Sequence, residues 1–70
     1  MAAHTREELT EARRQILSII RKLKGALLSL EGKDRPERYK AQITLARRRI
    51  AALETAVSLI EAQLETAGEQ

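Results

Sequence analysis

The feature that most constrains this 70-residue chain is a single cluster of helix breakers, Gly32-Lys33-Asp34-Arg35-Pro36, with long breaker-poor segments on either side. The preceding segment opens on Thr5-Arg6-Glu7-Glu8, a capping box. Thr5 would accept the amide of Glu8, and Glu8 would reach back to the amide of Thr5. The pattern predicts a helix over about 5–31, closed by Gly32 in the left-handed conformation. Asp34-Arg35-Pro36-Glu37 has the form of a second box, with Pro36 tolerated in a first turn because its missing N–H would be unpaired there. A second helix is expected over about 36–67, with Gly68 as its stop.

A turn of about 32–35 is too short for anything but an antiparallel helical hairpin. One continuous helix is the competitor. It would bury Gly32, Asp34 and Pro36 in a helix interior, at a cost of roughly 4 kcal/mol or more in propensity alone. The fold class expected is therefore all-α, a coiled-coil-like hairpin forming one domain over residues 1–70. The frequent Ala, Leu, Glu and Arg agree with long helices.

Helix two carries a heptad, with Ile43, Ile50, Val57 and Leu64 at a and Tyr39, Ala46, Leu53, Ile60 and Ala67 at d. Helix one repeats Leu9, Ile16, Leu23 and Leu30 every seven residues, and Ala12, Ile19 and Ala26 follow three residues after the first three. A sustained 3.5-residue period implies bundle-type crossing near +20°. The apolar surface is wider than one seam. Ile20, Leu27, Leu17 and Leu28 flank it on helix one, and Leu45, Ala52, Ala56 and Leu59 on helix two. A hairpin covers one stripe per helix, and a chain this short has little core of its own. Both points favour a homodimeric four-helix bundle with Leu9, Ile16, Ile19, Leu23, Leu30, Ile43, Ile50, Leu53, Val57, Ile60 and Leu64 as the shared core.

Charge is segregated along the chain. The net +3 divides into −2 over residues 1–12, +9 over 13–49 and −4 over 50–70. Few charges have an opposite partner four residues away on their own helix; Glu11 with Arg14 and Glu37 with Lys40 are three apart. One explanation is charge matching in an antiparallel dimer of hairpins, with Glu54, Glu61 and Glu65 of one chain near Lys33, Arg35, Arg38 and Lys40 of the other. The other is an outside polyanion such as RNA or DNA. Arg47, Arg48 and Arg49 fan around the helix at e, f and g. With roughly Ser18 to Lys22 opposite them, Arg21, Lys22 and Lys24 would extend them into a basic belt.

Chemistry of the catalytic kind finds little support. His4 is the only histidine and lies in an expected N-terminal fray. No metal or cofactor is expected. Glu61 and Glu65, four apart, read as a solvated acidic face rather than a cation site. Ser18, Ser29 and Ser58 lack a base at motif spacing, and there is no glycine-rich phosphate loop. Tyr39, the one aromatic residue, reads as the end cap of the core stripe rather than a base-stacking platform. No stretch is long and apolar enough to span a membrane, and helices without Trp or Phe are poor membrane-surface binders. The absence of cysteine and of an apolar signal segment suits a cytoplasmic protein.

The function expected is a non-catalytic homo-oligomeric scaffold or adaptor in protein–protein interaction. An RNA- or DNA-binding dimer using Arg21, Lys22, Lys24 and Arg47 to Arg49 is the alternative. A small chaperone or antitoxin-like partner, completing its bundle with another protein, is the third reading.

Overall fold

The computed structural model describes residues 4–68, with side-chain surroundings through residue 66. Two helices, α1 (Arg6–Glu31) and α2 (Lys40–Gly68), fold back on one another with a 3₁₀ turn, Pro36–Tyr39, leading into α2. No strand occurs among the described residues. The hairpin is a rod of 53 × 15 × 14 Å. Met1 to Ala3, Glu69 and Gln70 lie outside the described residues, as do the surroundings of Ala67 and Gly68.

The start of α1 follows its sequence. The Glu8 N–H donates to the Thr5 hydroxyl at 3.0 Å, and the Thr5 N–H donates to Glu8 Oε1 at 2.9 Å. Two of the helix's four unpaired amides are thereby satisfied. His4 Nδ1 lies 3.9 Å from Glu8 Oε1 in the open. Gly25 sits within α1, and a Cβ there would meet nothing within 4 Å. It weakens the helix by its backbone freedom and makes room for no neighbour.

The turn departs from expectation in two ways. Gly32 closes α1 at φ −85°, not in the left-handed region. Its N–H donates to the Leu28 carbonyl at 3.0 Å and the Lys33 N–H to the Leu30 carbonyl at 3.3 Å, so the helix unwinds with ordinary backbone angles. The second capping box does not form. The 3₁₀ turn is capped by Arg35, one residue beyond Asp34, and no side chain caps it. Arg35 is held at φ −128°, ψ 76°, away from the α region as a residue before proline must be. The tighter 3₁₀ pattern then takes over: the Arg38 N–H donates to the Arg35 carbonyl at 3.1 Å.

The core is thin. Leu9, Ile20, Ile50 and Val57 are the only buried hydrophobic residues among those described, with Ile16, Leu17, Leu23, Leu27 and Leu53 packed against the last three. On α2 the expected stripe is the one turned inward: Ile50 and Val57 are buried and Tyr39, Ile43, Ala46, Leu53, Ile60 and Leu64 half-buried, while Ala67 lies outside the described side chains. On α1 the seam is shifted: Leu9, Ile16, Leu23 and Leu30 belong to it, but Ile20 and Leu27 complete it, while Ile19 is 46% exposed and Ala26 is exposed. The physical reason is volume. Taking the residue four after Leu9, Ile16 and Leu23 brings in Arg13, Ile20 and Leu27; taking the one three after brings in two alanines and one isoleucine. The first choice buries more apolar surface, and the Arg13 side chain lays its stem along the edge with its charge outside.

Candidate interaction surface

With the seam fixed on Ile20 and Ile50, the positions of all other side chains follow at about 100° per residue. Turning one way from the seam by about 20–60° reaches Arg13, Lys24 and Glu31 on α1 and Arg47, Glu54 and Glu61 on α2. In an antiparallel pair these two flanks share one edge of the hairpin. Here opposite charges meet across the helices. Arg13 Nε donates to Glu61 Oε2 at 2.8 Å, Lys24 Nζ lies 3.2 Å from Glu54 Oε2, and Arg47 pairs with Glu31. Near the open end Arg6 donates to the Leu64 carbonyl at 3.1 Å. A shallow groove on this edge, floored by Leu27, Leu28, Ile50 and Ala51, lies between the Lys24–Glu54 and Arg47–Glu31 pairs.

These cross-helix pairs are a third use of the charge pattern, beyond the dimer and polyanion explanations. Glu54 and Glu61 already have cationic partners in their own chain. Glu11 and Arg14 form the expected pair along α1. The pairs also correct the hairpin's level. Arg47 lies opposite Glu31, not opposite Ser18 to Lys22. Glu31 and Arg47, like Lys24 and Glu54, are equidistant from Tyr39, so the helices are paired at a level several residues away from a count centred on Lys33. The alternation of sign at the flanking positions of the two stripes was readable, but only with that level in hand.

The other edge differs. Turning the opposite way by about 60–120° reaches Ala12, Ile19, Leu23 and Ala26 on α1 and Leu53, Ala56 and Ile60 on α2, with Arg49 among them. No ion pair among the described residues crosses this edge. Leu23, Leu30, Leu53 and Ile60 are only half-buried along it, and Ile16, Ile43 and Leu64 share that state elsewhere on the seam.

The six basic residues of the expected belt do not form one patch. Lys24 and Arg47 are ion-paired on the first edge. Arg21 lies farther round on that edge, Arg49 on the second, and Lys22 and Arg48 on the two backs; all four are exposed. A denser basic group sits at the loop end, where Lys33, Arg35 and Arg38 surround Asp34 and Tyr39 in an open depression. Lys33 Nζ stands 6.0 Å from the centre of the half-buried Tyr39 ring, at the outer reach of a cation–π contact.

The two resolved carboxylate shifts are local to α1. Glu8 is held below the usual carboxylate range chiefly by the Thr5 backbone N–H, with the nearby His4 adding a smaller pull. Glu11 is lowered by its hydrogen bonds from Gln15 and then Arg14. Glu61 faces Arg13 rather than sharing a cation with Glu65, and no three His, Cys, Asp or Glu side chains converge among the described residues. Among the described residues no helix is long and apolar enough to cross a membrane. The chain matches no protein-family model, and no curated protein or solved structure is significantly similar to it.

Proposed function

We propose that the hairpin is the subunit of a homodimeric four-helix bundle that serves as a non-catalytic scaffold or adaptor in protein–protein interaction. The observation that carries this reading is uncovered apolar surface. Ile19 is 46% exposed, and Leu23, Leu30, Leu53 and Ile60 beside it are only half-buried. The chain's accessible surface is 5775 Å² at 7.9 kDa, against roughly 4,400 Å² for a compact monomer of that mass. The excess exceeds the roughly 800 Å² that each partner buries in a standard interface. A second copy would turn half-buried seam residues into a core of native depth.

Sedimentation equilibrium tests the assembly, and melting followed at several protein concentrations supports it independently. A dimer mass and a melting temperature that rises with concentration are expected. A fully helical monomer with a concentration-independent melt would overturn the reading.

A second reading, binding of RNA or DNA, draws on the loop-end cations. Lys33, Arg35, Arg38 and Lys40 enter no ion pair among the described residues, nor do Arg21, Lys22, Arg48 and Arg49. Several phosphate contacts give a steep salt dependence. No binding to mixed nucleic acid at about 50 mM salt would discard it.

A further inference from the structure

We infer that the second copy docks on the edge that carries no cross-helix ion pair, in the antiparallel sense, with Ile19 of each α1 at the two-fold axis. This rests on the self-association proposed above and specifies its face and direction.

The face follows from the asymmetry of the hairpin. One edge is occupied by Arg13–Glu61, Lys24–Glu54 and Arg47–Glu31. Docking there would strip water from three ion pairs, a cost that apolar contact must first offset. The opposite edge presents Ile19, Leu23, Leu53 and Ile60, all partly exposed, with Arg49 as the charged residue among them. Burial there removes apolar surface from water at little electrostatic cost.

The direction follows from charge. The loop half, residues 20–55, carries ten basic and four acidic residues, a net of +6. The open half carries Arg6, Arg13 and Arg14 against Glu7, Glu8, Glu11, Glu61, Glu65 and Glu69, a net of −3. Two hairpins stacked with loops at the same end would set +6 against +6. With loops at opposite ends, each basic half lies over an acidic one.

The position follows from self-complementarity. A two-fold axis across the rod lays α1 on its own copy and α2 on its own copy, reversed, so the residue n positions before the axis must fit the residue n positions after it in the other copy. On this edge α1 has Ala12 and Ala26, each seven residues from Ile19, and α2 has Leu53 and Ile60 on either side of Ala56. These two centres share one level of the rod, because the Arg13–Glu61 and Lys24–Glu54 pairs bracket both. Loops placed at the same end would instead set Ile19 against Ala56 of the partner subunit.

The chain has no cysteine, so single introduced thiols report contacts cleanly, and a disulfide forms only where Cα atoms come within about 7 Å. Under mild oxidation, Ile19→Cys should cross-link to its own copy, while Leu28→Cys, on the ion-paired edge, should not. Ile19→Asp should weaken the dimer on the order of tenfold or more, with helicity retained; Leu28→Asp should leave it unchanged. If the protein is a dimer but Leu28→Cys links and Ile19→Cys does not, the face is wrong while self-association stands. If Ile19→Cys links only to Ala56→Cys of a co-expressed copy, the direction is wrong. A monomer by sedimentation defeats the self-association reading, and this inference with it.

Discussion

Ile50 shows how much rests on a single side chain in a core this thin. It is one of four buried hydrophobic residues among those described and belongs to the same cluster as Ile20 and Val57. Ile50→Asp would set an unpaired carboxylate in the middle of the seam. The expected loss is about 3 kcal/mol or more, enough to unfold the hairpin in a urea titration followed by circular dichroism. Unchanged stability and assembly would mean that the seam is misassigned. Glu8 acts at the same scale with a different dependence. Its carboxyl is lowered mainly by accepting the Thr5 backbone N–H, so the charged form is the one that the folded state favours. A group depressed on folding contributes stability above its unfolded pKa and loses that contribution as pH falls through its folded value. Helix stability should therefore decline on acidification through and below the ordinary glutamate range. Glu8→Gln keeps a side-chain acceptor for the box but cannot titrate. Its acid-limb decline should be shallower than that of the parent protein; parallel curves would remove Glu8 from the explanation.

The helices teach separate lessons about the glycines and about what can be read from sequence. Gly25 leaves open space where a Cβ would stand. Gly25→Ala should raise stability by about 1 kcal/mol through propensity. Gly32 closes α1 at a negative φ, and a Cβ there would meet the Leu28 carbonyl oxygen at an ordinary 3.4 Å. Gly32→Ala should accordingly be mildly stabilising, by about 0.5 kcal/mol. Urea midpoints that rise with unchanged slopes would confirm both; a marked loss at Gly32 would restore the left-handed closure. The stripe of α2 was legible because one heptad runs through it without a competitor, with Ile43, Ile50, Val57 and Leu64 at a and Tyr39, Ala46, Leu53 and Ile60 at d. That of α1 was not, because Leu9, Ile16, Leu23 and Leu30 belong equally to two heptads. The choice between Ile19 and Ile20 turns on whether Arg13 can lie at a seam edge, and that depends on Glu61 in the other helix. The failed box at Asp34 has a comparable cause. Its spacing was right, but the 3₁₀ turn moved the cap by one residue.

At the scale of the whole rod, charge has two roles with different ranges. Within one hairpin, Arg13–Glu61 and Lys24–Glu54 are contacts of 2.8 and 3.2 Å between half-exposed groups. Contacts of this kind contribute roughly 0.2–1 kcal/mol each and fix the level of the helices more than their stability. Between hairpins, the antiparallel arrangement sets a +6 half against a −3 half along the length of the rod, an attraction summed over many separated charges. Raising ionic strength from about 0.1 M to about 1 M shortens the screening length from about 10 Å to about 3 Å. The long-range attraction is then largely lost, while close contacts and buried apolar surface persist. The dimer dissociation constant should therefore rise across that interval, whereas helicity at saturating protein concentration should stay constant. Sedimentation in sodium chloride, a salt that does little to strengthen apolar burial compared with sulfate, is the suitable measurement. A dimer that tightens with salt would show that like charges meet across the interface, as they do when the loops share one end.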